Sequence, residues 1–188
     1  MELKNIVYFD KREEWRKWLE HNFMEKDEVW LVFPKKHSGR LSITYNDAVE
    51  EALCFGWIDS TVKTLDNERK IQRFTPRNSK RKYSQPNMER LKWLLDNGMI
   101  HPDLIEHAKS ITAKNFKFPS DIINAIKKDS IAWNNYMKFP DGYKRIRVAY
   151  IEGARRRPEE FNKRLQNFIA KTKKGKLISG YGGIDKYY

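Results

Sequence analysis

Apolar positions in the first hundred residues change period several times. Trp15, Trp18 and Leu19 recur at helical spacing behind Asp10 and Glu13, a capping-box-like start, which predicts a helix at 11–22. Val29-Trp30-Leu31-Val32-Phe33 is a continuous apolar run and suits a buried strand. His37-Ser38-Gly39 reads as a loop. Thr44 and Asp47 form a second capping signature. It opens a helix through Phe55 with Ala48, Val49, Ala52 and Leu53 as apolar positions and Gly56 as its stop. Residues 57–65 and 70–75 are rich in β-formers, and Asp66-Asn67-Glu68 between them predicts a hairpin turn. Pro76 to Ser84 is polar, basic and loop-like. Pro86 starts a helix with Met88, Leu91, Leu94 and Leu95 on one face, closed by Gly98.

Beyond residue 98 the period is helical. Leu104, Ile105, Ala108 and Ile111 share a face, as do Ile122, Ile123 and Ile126, and then Trp133, Tyr136 and Met137. Pro140-Asp141-Gly142 breaks the chain before Tyr143, Ile146, Ala149 and Tyr150. Pro158 begins a last helix with Phe161, Leu165, Phe168 and Ile169 inward. The fold class is therefore α+β: a small, mostly antiparallel sheet with helices over 1–98, followed by a helical C-terminal part over 99–175. A tail over 176–188, including Ser179-Gly180-Tyr181-Gly182-Gly183, is expected to be mobile. Residues 112–121 are the candidate linker, the alternative being one continuous domain.

Composition adds charge to this picture. The 188 residues carry 38 Lys+Arg against 25 Asp+Glu, a formal net charge of +13. Residues 69–92 hold nine basic residues and one acid, and residues 144–176 hold twelve basic and three acidic ones. Clusters of this kind create a local positive field and point to an anionic partner. The absence of a long apolar run, the polar Met1-Glu2-Leu3-Lys4-Asn5 start and the single cysteine, Cys54, lead to the expectation of a cytoplasmic protein without disulfides.

Particular runs carry a resemblance. Trp30-Leu31-Val32-Phe33, Thr44-Tyr45, Ala48 through Asp59 with its Cys54-Phe55-Gly56-Trp57-Ile58-Asp59 run, Arg73-Phe74-Thr75-Pro76-Arg77 and Tyr83-Ser84 resemble the YdeI/OmpD-associated family. Tyr150 and Glu152-Gly153-Ala154-Arg155-Arg156-Arg157-Pro158-Glu159 are similar to its helical C-terminal region. The resemblance spans nearly the whole chain and departs from the family pattern at Tyr83, where a Trp is expected. It implies a bacterial, stress-associated, cytoplasmic protein linked to bacteriocin protection, and it brings no catalytic residue.

The chemistry is therefore read from the residues. Arg73 and Thr75 share a strand face, Arg77 follows, and the loop ends with Tyr83 and Ser84 at a helix N-terminus, where free backbone N–H groups favour anions. These residues form a candidate anion groove. Arg73 and Arg77 grip phosphate or carboxylate, Trp57 and Tyr83 supply flat walls, and Asp59 orients an arginine or accepts a ligand hydroxyl. The same residues admit a structural account, in which Asp59 and Arg73 pair to pin the hairpin and Ser84 is only a cap. Lys80, Arg81, Lys82, Arg155, Arg156 and Arg157 extend a track that suits single-stranded nucleic acid.

Two rival classes stay open. One is an enzyme acting on a small anionic substrate with Asp59 or Tyr83 as proton carrier. The other is a basic-surface interaction module for an acidic protein or an anionic membrane surface. The reading leans away from an enzyme. No cofactor and no metal are expected, because His21, His37, His101 and His107 lack ligand spacing. Cys54 reads as a buried small hydrophobe, and Glu50 and Glu51 as solvated carboxylates on the polar side of their helix.

Overall fold

The computed structural model describes residues 5–78, 82–179 and 184–188. The chain divides into two compact units, residues up to 82 with 91–111, and residues 83–90 with 112–188.

The first unit is built on a four-stranded sheet of order β1-β2-β4-β3. Its strands are β1 (Ile6–Val7), β2 (Val29–Pro34), β3 (Trp57–Thr64) and β4 (Arg69–Pro76). β2 pairs antiparallel with β4 and β4 with β3, while β1 runs parallel to β2. The sheet is therefore mixed, with one short parallel pair beyond the sequence expectation; two residues are too few for a period to show. Val29 through Phe33 are buried, as a continuous apolar run should be.

Helices α1 (Arg12–Asn22) and α2 (Tyr45–Cys54) supply the core beside the sheet. Trp15 is fully buried, 5.5 Å from Phe74 of β4, and its indole N–H donates to the Ala48 carbonyl. The opposite face carries a smaller cluster of Trp30, Val32 and Ile71, with the Lys63 ammonium over the Trp30 ring. The expected cap at Asp10 does not form: Lys11 occupies the N-cap position of α1 and no side chain caps it.

At α2 the expected cap is present, with Thr44 Oγ1 accepting from the Asp47 N–H at 3.1 Å. Thr44→Ala should therefore cost about 1 kcal/mol, read from urea melts. Gly56 ends this segment at φ +71°, and a Cβ there would lie 3.3 Å from the Leu104 side chain.

In the second unit, α5 (Ser120–Lys127), α6 (Ser130–Lys138), α7 (Asp141–Glu152) and α8 (Pro158–Lys173) enclose one core of Ile122, Ile126, Tyr136, Tyr143, Val148, Ile151, Leu165 and Phe168. The two remaining helices are α3 (Gln85–Asp96) and α4 (Ile105–Thr112). The start of α3 belongs to this second unit, where buried Glu89 accepts from Arg145 Nε at 2.6 Å and Nη2 at 2.8 Å. Leu91 and Leu94 of α3 are buried and belong to the first unit.

Of the segment expected to be a mobile tail, Ile178, Tyr187 and Tyr188 make contacts. The Ile178 N–H donates to the Tyr143 hydroxyl, Tyr187 is buried, and the Tyr188 ring meets Tyr143 edge-on at 5.2 Å. Gly180 through Gly183 of the expected tail lie outside the described residues.

Candidate functional site

The residues expected to form an anion groove take separate roles. Trp57 is 1% exposed, edge-on to Trp18, and donates its indole N–H to the Phe23 carbonyl. It is a core residue and offers no wall to a ligand. Arg73 is paired with Glu28, Nε to Oε2 at 2.7 Å, not with Asp59. The β4–β3 register sets Asp59 opposite Phe74, one position from Arg73 and therefore on the other face, and Asp59 accepts from the Tyr45 hydroxyl at 2.6 Å. The hairpin-pinning Asp59–Arg73 pair is thus corrected as well.

Thr75 is half-buried opposite Ile58. Arg77 donates through Nη2 to the Lys82 carbonyl and through its backbone N–H to the Gly56 carbonyl. Tyr83 and Ser84 belong to the second unit, where Ser84 Oγ accepts weakly from the Asn87 N–H at 3.4 Å, the cap of the structural account. Lys80 and Arg81 lie outside the described residues, and Lys82 is exposed. All three residues of the triple arginine are exposed, and Arg155 is bound to Asp121 and Glu152.

Two clusters that the sequence reading missed hold most of the buried charge. In the first unit Glu50 and Glu51 are 0% and 1% exposed, a correction to their reading as solvated carboxylates. Arg12 donates to Asp47 at 2.9 Å, Glu50 at 3.0 Å and Glu51 at 2.5 Å, and Arg16 donates to Glu51 at 2.7 Å and to the Met99 carbonyl. Burial opposes the Arg12 charge, but Glu51 and Glu50 outweigh it, so its pKa is raised. The sequence held a trace of it: Arg12 and Arg16 stand in phase with Trp15 and Leu19, and Glu51 stands three residues from Ala48, on the inward face.

Cys54 ends the same stripe on α2. Burial first, then Glu51, pushes its thiol up to about 12 from the ordinary 9.0. A thiol whose folded pKa is raised stays protonated and inert well above neutrality. Cys54 should therefore resist a disulfide reagent at pH 8 in native protein and react at once in denaturant. Fast native labelling at the unfolded rate would refute this burial.

In the second unit a cleft of about 400 Å³ lies along α7 and α8. Arg147 of α7 lines it and is 5% exposed. Its Nη2 donates to the Ile178 carbonyl, its guanidinium lies 5.4 Å from the Tyr143 ring centroid, and its Nε is buried without a hydrogen-bond partner. Among the described residues no carboxylate pairs with it.

On α8, Arg164 is held by Glu160 through Nε at 2.7 Å and by the Tyr150 carbonyl through Nη1 at 2.8 Å, with its guanidinium carbon 3.8 Å from the Tyr150 ring centroid. The Arg164 hydrogen bond holds Glu160 below its ordinary carboxyl pKa. Lys163 and Asn167 line the solvent side, and Ile151, Phe168 and Ile178 give an apolar wall. The sequence held a trace of this too, since Arg147 falls between Tyr143 and Ile151 at four-residue steps on the buried face of α7.

The two parts of the chain match different family models. Residues 7–107, more than half of the chain, belong to a domain of unknown function (DUF8412). Residues 115–175, which include Arg147, Tyr150, Glu160, Lys163, Arg164 and Phe168, match the model of the family described as Bacteriocin-protection, YdeI or OmpD-Associated. The family match is thus C-terminal, whereas most of the runs that suggested it, Cys54 to Asp59 included, lie in the N-terminal domain. No curated protein and no solved structure matches the chain. Among the described residues no helix is long and apolar enough to cross a membrane, and no group of three or more His, Cys, Asp or Glu is placed to hold a metal.

Proposed function

We propose that the second unit binds a small organic anion in the α7–α8 cleft. Arg147 is the buried charge and Lys163 the charge at the mouth. The observation that carries this reading is Arg147: a guanidinium 5% exposed, in a cleft, without a carboxylate partner among the described residues. A buried charge left unpaired costs several kcal/mol. An anion delivered to the cleft offsets that cost, and a guanidinium grips phosphate or carboxylate in two-pronged fashion. Arg164 is already balanced by Glu160, so it shapes the cleft rather than supplying net charge.

The anionic partner expected from the net charge is kept, with different residues. A binding role suits the lining better than catalysis. Among the described lining residues the one carboxylate, Glu160, is engaged by Arg164, and none is a His or Cys. Titration calorimetry with inorganic phosphate and pyrophosphate tests the reading. Wild-type protein should bind saturably, and Arg147→Met should bind at least about tenfold more weakly. Equal binding by a variant shown folded by circular dichroism defeats it.

A further inference from the structure

Resting on that reading, we infer that the cleft takes a free mononucleotide: a flat heteroaromatic ring carried on a phosphate monoester. Three features converge on this class.

The first is size. A cleft of about 400 Å³ is far larger than an inorganic ion needs and falls in the range of small-molecule sites, roughly 300–1,000 Å³. The second is charge. Arg147 and Lys163 make no ion pair among the described residues, while Arg164 is neutralised by Glu160. Two cations without a close ion pair among the described residues match a phosphate monoester, which carries about −1.5 to −2 at neutral pH. They do not match a monocarboxylate.

The third is shape. Nε and Nη1 of Arg164 are committed to Glu160 and to the Tyr150 carbonyl, and one face of its guanidinium lies against the Tyr150 ring. Arg164 lines the cleft, and in this proposal its other flat face is the platform on which a planar ring stacks. Ile151 and Phe168 continue the apolar wall beside it, and the Asn167 amide, both donor and acceptor, suits the edge of a base.

The test is a calorimetric series on the full chain with inorganic phosphate, ribose 5-phosphate, adenosine, AMP, GMP and a 5′-phosphorylated oligonucleotide. AMP or GMP should bind about tenfold or more tighter than ribose 5-phosphate, the gain expected from one stacked base. Arg164→Lys keeps the charge and loses the plane. It should lose the ring-dependent gain, so that AMP and ribose 5-phosphate bind this variant alike. Circular dichroism and a thermal melt establish that this variant is folded; if it is not, the ligand series on wild-type protein decides alone.

The outcomes separate cleanly. If no phosphate-bearing compound binds, the anion reading itself fails. If phosphate and ribose 5-phosphate bind and the nucleotides bind no tighter, only the mononucleotide inference fails. If the oligonucleotide binds much more tightly than AMP or GMP, the ligand is a strand end and not a free nucleotide, which also overturns the inference.

Discussion

Arg12→Met is expected to destabilise the first unit by about 3 kcal/mol, because it removes the cation that bridges Asp47, Glu50 and Glu51. Glu50 and Glu51 are 0% and 1% exposed, so water cannot take the place of the guanidinium. The cost is one of breaking a pair, not of losing an attraction. Of the α1 arginines Arg16 then remains, and it donates to Glu51 and to the Met99 carbonyl.

A second variant separates these terms. Arg12→Met combined with Glu50→Leu and Glu51→Leu removes the two carboxylates together with the cation that bridges them. Apolar replacement of a whole buried ion group is commonly neutral or stabilising. The triple variant should therefore recover most of the loss in urea melts of the full chain. A single variant that loses less than about 1 kcal/mol would place the cluster with exposed ion pairs, which contribute little.

This cluster also marks the limit of what the pattern of the chain reveals. The elements were legible because each has a local cause: the Thr44 cap of α2, the apolar run of β2, the turn at Asp66 that joins β3 and β4, and Pro158 in the first turn of α8. The two-residue β1 was not, having no period to read. The candidate site was less legible for a different reason. Hydrophobic periodicity assigns charged residues to the solvent face, and that rule hides Glu50, Glu51 and Arg147, which sit at inward phases and are buried. The groove at Trp57, Arg73 and Arg77 was drawn from nearness in sequence. Pairing is decided by strand register, which put Glu28 beside Arg73 and set Asp59 under Tyr45.

Arg147→Met is expected to act on stability in the sense opposite to Arg12→Met. In ligand-free protein it removes a buried charge that no carboxylate among the described residues balances, so the several kcal/mol spent on desolvating it are recovered. Against that stand the hydrogen bond to the Ile178 carbonyl, worth about 1 kcal/mol, and the contact with Tyr143. Methionine keeps the unbranched apolar stem and fills much of the same volume. The net expectation is a gain of about 1 kcal/mol, or about 2–4 °C in Tm for a chain of this size.

Added ligand reverses the order. A ligand at one hundred times its Kd stabilises wild-type protein by about 2.7 kcal/mol and leaves the variant unmoved, because binding has been lost. Thermal melts of both proteins, with and without AMP, therefore should cross: the variant melts higher in buffer and the wild type melts higher with nucleotide. A variant destabilised in buffer as much as Arg12→Met would instead make Arg147 a structural tie between Tyr143 and Ile178. The cleft would then lose the observation that makes it an anion site.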